Sequence, residues 1–157
     1  MAYILVVDDD DIVAEHAAQV LLDAGYAAGH VGDAEAALEV MRRKTPDLLL
    51  LDQNMPGLSG ANLLRKMRGS EKFYDIPVVM FTGVQGIREE QIAYYNGAQD
   101  YIRKPFSPNM LLFRVKQVLR SREARARLGG RARIATMPYE KRSPAQSERP
   151  SPPLRLV

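Results

Sequence analysis

The sequence predicts an α/β protein, a doubly wound five-stranded parallel sheet with helices on both faces. Three observations predict it. Five short apolar runs alternate strictly with five amphipathic stretches, which implies parallel strands joined by right-handed crossovers. Leu48–Leu51 is four apolar residues in a row, the pattern of a strand covered on both sides. The chain has 157 residues, 46% hydrophobic and 26% charged, which suits one globular domain with little left over.

The elements follow in order. Tyr3–Val7 is apolar and rich in β-branched residues, so it reads as a buried strand. Ile12–Leu22 carries Ile12, Val13, His16, Val20 and Leu21 at helical spacing, and Gly25 stops it. Ala27–Val31 is a weak second strand. Asp33 is a good N-cap for a second helix over Ala34–Arg43, whose Ala37, Leu38 and Met41 make one face and which Pro46 ends. The third strand is Leu48–Leu51, and Leu58–Met67 is the third helix. Pro77–Phe81 is the fourth strand, and Ile87–Tyr95 the fourth helix, closed by Asn96-Gly97. Gln99–Arg103 is the fifth strand. Pro108–Arg120 is the fifth helix, with Leu111, Leu112, Val115, Val118 and Leu119 on its buried side and room to run on to Leu128.

Composition excludes several classes of chemistry. There is no cysteine, so disulfides, thiolate zinc sites, iron–sulfur clusters and cysteine nucleophiles are ruled out. The two histidines, His16 and His30, cannot build a multi-histidine metal site between them. No apolar run approaches the ~20 residues that span a bilayer, and no signal-peptide pattern opens the chain. The expectation is a cytoplasmic protein without membrane insertion.

The net charge of +3 hides an asymmetry. Residues 1–120 carry 13 Lys and Arg against 16 Asp and Glu, whereas residues 121–157 carry 9 against 3. Five of the ten prolines lie in 138–153. The chain therefore divides into an acidic folded body, residues 1–122, and a basic, Pro-rich tail, residues 123–157. The tail has too few large apolar residues to offset its ordering entropy and is expected to be disordered.

In such a sheet, ligands bind beyond the carboxyl ends of the strands. The first strand is followed by Asp8, Asp9, Asp10 and Asp11, and one of the last two caps the first helix. The third is followed by Asp52 and then Gln53-Asn54-Met55-Pro56-Gly57, the fourth by Thr82-Gly83, and the fifth by Lys104-Pro105. If strands one and three are neighbours, Asp8, Asp9 and Asp52 meet at one edge. Carboxylates that close disfavour one another's ionisation. A hard divalent cation removes the conflict, and magnesium prefers oxygen ligands and phosphate. Thr82 as a donor and Lys104 as a point charge suit a phosphoryl group on a carboxylate. An aspartate can itself be the nucleophile.

The motifs VVDDD at 6–10, LLLLDQNMPGLSG at 48–60, VVMFTG at 78–83 and DYIRKPF at 100–106 resemble the receiver domain of bacterial two-component response regulators. The resemblance covers residues 3 to about 120. It implies a (βα)5 flavodoxin-like fold with strand order 2-1-3-4-5. It implies that Asp52 accepts a phosphoryl group from a sensor histidine kinase or a histidine phosphotransfer protein. Magnesium would be held by Asp9, Asp52 and the main-chain carbonyl of Asn54, with Asp8 acting through a water. Thr82 and Tyr101 would be the switch pair, Tyr101 turning from exposed to buried, and Lys104 the phosphate-contacting lysine. The Lys104–Pro105 peptide would be cis. The output would be phosphorylation-dependent binding to a downstream protein, with the protein catalysing only its own phosphoryl transfer and dephosphorylation. Asp100 and Arg114 match polar positions of a homodimer through the fourth and fifth helices, although Met110 stands where an acid is expected.

Two rival functions use the same residues. A haloacid-dehalogenase-type phosphatase would use Asp8-x-Asp10, Thr82 and Lys104. It leaves the Asp52 loop unexplained and wants an acidic pair beyond the lysine, where 105–122 contains no acid. A DNA-associated transcriptional regulator would use the basic tail through Arg122, Arg125, Arg127, Arg131 and Arg133. Cations at a helix C-terminus are also what a solvated helix end wants, and residues 121–157 are too few for a winged helix, so nucleic acid is not the expected partner.

Overall fold

A computed structural model of the chain describes residues 1–83 and 86–128. Ten elements alternate: β1 (Tyr3–Val7), α1 (Asp11–Asp23), β2 (Ala27–Val31), α2 (Ala34–Arg43), β3 (Leu48–Leu51), α3 (Gly60–Arg68), β4 (Val78–Thr82), α4 (Ile87–Tyr95), β5 (Asp100–Arg103) and α5 (Pro108–Arg127). The strands form one parallel sheet in the order β2-β1-β3-β4-β5. The predicted doubly wound topology is therefore present.

Period-2 alternation along the strands divides the core into two layers. Leu5, Val7, Leu49, Leu51, Val78, Met80 and Tyr101 pack with residues of α2, α3 and α4. Ile4, Val6, Leu48, Leu50, Val79, Phe81 and Ile102 pack with Ala14, Ala17 and Leu21 of α1 and Leu111, Val115 and Val118 of α5. β1 and β3 are buried on both faces, which is why they read as unbroken apolar runs.

Helix starts follow their caps. Asp10 caps α1 by accepting from the Ile12 and Val13 amides, at 3.1 and 3.2 Å. Asp33 accepts from Ala36 N–H at 2.7 Å. α3 begins at Gly60 rather than at Leu58, because Ser59 is its cap and accepts from Asn62 N–H. β4 is shifted one residue from expectation, to Val78–Thr82, and β5 starts at Asp100 rather than Gln99. Pro77 has no N–H to give the ladder, although its carbonyl accepts from Leu49 N–H.

α5 runs to Arg127, within the extension toward Leu128 that the sequence allows. The buried stripe of α5 continues into Arg122, whose guanidinium donates to the Asp47 carbonyl at 2.8 Å and pairs with its carboxylate at 3.7 Å. That contact holds the overhanging helix to the body. The remainder of the expected tail, 129–157, lies outside the described residues. Among the described residues, no helix is long and apolar enough to cross a membrane.

Candidate functional site

Asp8, Asp9, Asp52, Thr82 and Lys104 sit at the carboxyl ends of strands, whereas Tyr101 lies within β5 and Asn54 on the loop after β3. Asp8 N–H donates to the Val31 carbonyl and Asp52 N–H to the Val7 carbonyl, so both aspartates extend their ladders by one residue. Lys104 N–H donates to the Thr82 carbonyl at 3.0 Å, which ties the ends of β4 and β5 together. The Lys104–Pro105 peptide is cis.

The structure brings Asp8, Asp9 and Asp52 together, with one carboxylate oxygen of each within 4.8 Å of the others. Asp8 and Asp52 are buried and Asp9 is exposed. The Lys104 ammonium pairs with Asp8 and lies 3.5 Å from Asp52 Oδ1. Three carboxylates against one ammonium leave an excess of negative charge in a largely buried corner. All-oxygen donors at this spacing fit a hard cation such as magnesium. Asn54 is exposed on the loop after Asp52.

Burial pushes the Asp52 carboxyl above its ordinary value, opposed by the Lys104 charge and reinforced by Asp8. Hydrogen bonds from the Thr82 hydroxyl and the Gln53 amide pull it back down. Thr82 is buried and already reaches the Asp52 carboxylate. Tyr101 is only 6% exposed, so the exposed starting position expected of it is not the one this structure holds. Its side chain lies on the α3–α4 face, where it lines an apolar cavity of about 130 Å³ together with Thr82, Met80, Leu64 and Ile92. Burial also raises the Tyr101 phenol above its ordinary value, with the Arg103 charge opposing.

Other sequence readings resolve locally. Asp10 is spent on the α1 cap, so it does not join the carboxylate cluster. His16 is exposed on α1 and its ring stacks against Phe106, with centroids 5.2 Å apart. His30 is exposed on β2. Asp100 and Arg114 pair with each other at 2.5 Å, and the Tyr94 hydroxyl donates to Asp100 at 3.3 Å.

Sequence reasoning missed three contributors. Gln53 bends away from the site, its side-chain oxygen accepting from Ala61 N–H at 2.8 Å and its carbonyl from Gly60 N–H. Gly60 packs against the Asp52 carbonyl with no room for a side chain. Phe81 lies under the Lys104 ammonium, 5.2 Å from ring centroid to nitrogen. Only the last had a signal: alternation along β4 puts Phe81 on the face opposite Thr82, and β5 is the neighbouring strand.

Residues 4–116 match the family described as the response regulator receiver domain. The DNA-binding response regulator MtrA of Mycolicibacterium smegmatis is 38% identical over 120 residues, covering 76% of this chain and 51% of its own length. The phosphate regulon transcriptional regulatory protein PhoB of Pseudomonas aeruginosa is 42% identical over 118 residues, covering 74% and 51%. The chain thus spans about half the length of these curated relatives. Among solved structures, a response regulator of Chloroflexus aurantiacus superposes with a TM-score of 0.72 at 36% identity, covering 76% of this chain and 98% of that one. The chemotaxis protein CheY4 of Vibrio cholerae does so with a TM-score of 0.71 at 29% identity, covering 75% and 98%.

Proposed function

Because the chain belongs to the response regulator receiver family, we propose that it is a phosphoryl acceptor in a two-component or phosphorelay pathway, phosphorylated on Asp52. The observation that carries this reading is the convergence of Asp52, Thr82 and Lys104 from three strand ends on one acidic corner. The donor is a phosphorylated histidine of a sensor kinase or phosphotransfer protein. An Asp52 carboxylate oxygen forms the new O–P bond as the N–P bond breaks, and the imidazole nitrogen keeps the electron pair and takes up a proton. Asp9, Asp52 and the Asn54 carbonyl would hold magnesium, with Asp8 acting through a water, and the ion would neutralise the developing charge. Lys104 holds one phosphoryl oxygen as a point charge, and Thr82 donates to another.

The acyl phosphate adds about −1.5 to −2 charges at Asp52. Thr82 and Lys104 then find a stronger acceptor than the bare carboxylate. Tyr101 and the face formed by α4 and α5 respond, and a downstream protein reads the change. A second copy joined through α4 and α5 is a further partner for that face. The chemistry needs no enzyme beyond the kinase, since the protein carries its own transfer and dephosphorylation residues. Its place is the cytoplasm.

The phosphatase alternative is weaker, because its second aspartate, Asp10, is engaged at the α1 N-terminus. DNA association through the basic tail rests on residues outside the described part of the chain. The test is incubation with acetyl phosphate or a phosphorylated kinase and magnesium, followed by the same with Asp52→Asn. Label should appear on the wild type only, and undiminished label on the variant would sink the assignment.

A further inference from the structure

Lysine is a compact charge on a flexible four-carbon stem, so attraction to carboxylates alone leaves its position loosely defined. Asp8 and Asp52 hold the Lys104 ammonium from one side. The ring of Phe81 faces it from another, with the nitrogen 5.2 Å from the centroid. Phe81 is fully buried. It pairs in register with Ile102, two residues before Lys104 on the neighbouring strand. Its ring packs edge-on with Phe106 at 5.1 Å and 69°, and Phe106 in turn stacks on His16 of α1 at 5.2 Å. The ring is therefore held in place by the α1 side of the core.

We propose that Phe81 is a positioning residue whose ring face fixes the Lys104 ammonium beside Asp8 and Asp52, and so sets the affinity of the site for a phosphoryl group. The inference rests on the reading of Asp52 as phosphoacceptor. A cation over an aromatic face gains most where water is excluded, and the Lys104 side chain is only 17% exposed. A leucine at 81 keeps the apolar bulk but has no negative face to offer. The ammonium then loses the contact that keeps it at the rim in advance of the ligand, and pre-organisation of that kind is a source of affinity.

The experiment is a double-mutant cycle read by beryllium fluoride binding with magnesium. Phe81→Leu should weaken binding about three- to tenfold and should have no effect in a Lys104→Ala background. A ring-fluorinated phenylalanine placed at 81, which keeps the shape and drains the face of charge, should weaken binding without lowering the melting temperature. Equal weakening in both backgrounds, or none with the fluorinated ring, would overturn the proposal. The Lys104 side-chain NMR resonances supply a reading that needs no phosphoryl mimic. They should lose their ring-current shift in Phe81→Leu, and failure to move would overturn this inference alone. Absence of beryllium fluoride binding to the wild type would instead count against Asp52 as acceptor.

Discussion

Gly60 lies against the main-chain carbonyl of Asp52 so closely that a β-carbon there has no place to go. The obstacle is backbone, with Asp52 C and Gln53 Cα also within 3.0 Å, so no side chain can swing aside. The first residue of α3 thus fixes the loop that presents Asp52. Gly60→Ala should destabilise the fold by about 1–3 kcal/mol, as overpacking does, and should slow labelling by acetyl phosphate more than Ala61→Gly does. Denaturant melts and labelling rates of the two variants check this.

The acidic corner has a sign that can be read by pH. Burial raises the Asp52 carboxyl above its ordinary 3.8. A folded-state value above the unfolded one means the folded protein holds this proton more tightly. Stability from this group is complete below 3.8 and is lost as pH rises through the folded value. Without metal, Asp52→Asn should therefore melt higher than wild type at pH 7, and the difference should vanish below about pH 3.8. Magnesium should raise the wild-type melting temperature by mass action and raise that of Asp9→Ala less. Calorimetry across pH, with and without magnesium, decides both points.

Thr82 and Lys104 reach Asp52 from two strand ends joined by one backbone hydrogen bond. A ligand shifts a two-state equilibrium only by its differential affinity for the states. Thr82→Ala and Lys104→Ala should still accept phosphate but lose most of the gain in partner affinity that beryllium fluoride gives the wild type. A wild-type gain in both variants would show that the coupling runs elsewhere.

Tyr94 offers a spectroscopic check on the α4–β5 face. Partial burial, then the charges of Asp100 and Glu90, push its phenol up to about 12. The folded value exceeds the unfolded 10.0, so stability from this group is lost as pH rises between the two. Absorbance titration of the seven tyrosines should show a late phase that Tyr94→Phe diminishes. Burial raises Tyr3 and Tyr101 as well, so part of the late signal should remain.

Arg68 is 1% exposed, and its guanidinium donates to the carbonyls of Gly97, Tyr74 and Ile76 and to the Gln99 side chain. It ties the end of α3 to the starts of β4 and β5, and Gly97 leaves room for it. Arg68→Met should orphan these acceptors and cost about 3 kcal/mol or more. Arg68→Lys should not restore the loss, because one ammonium cannot span the fork. Urea midpoints test both.

Most of the fold was legible because burial on both faces makes β1, β3 and β4 up to Phe81 runs of large apolar and aromatic residues, and because Asp33 and Pro108 mark helix starts. The start of α3 was not, since Leu58 fits the helical period while its neighbours form a cap and a close contact. The site aspartates, Thr82 and Lys104 were legible as strand-end residues. Arg68 was not, because an arginine at a basic helix end reads as solvated until the carbonyls around it are known. The rotamer of Tyr101 depends on a cavity shared by β4, α3 and α4, which no local pattern reports.

The anchoring of Arg122 to Asp47 fixes which way α5 leaves the molecule. Pro108 lies near the carboxyl end of β5, while Asp47 immediately precedes β3 at the amino end of the strands. Fifteen helical residues, Pro108 to Arg122, cover the interval, a span of about 22 Å. The last described turns of α5 therefore lie toward the amino ends of the strands, the end opposite Asp52. A protein docked on the described end of α5 would thus leave Asp52 and the carboxyl ends of the strands uncovered.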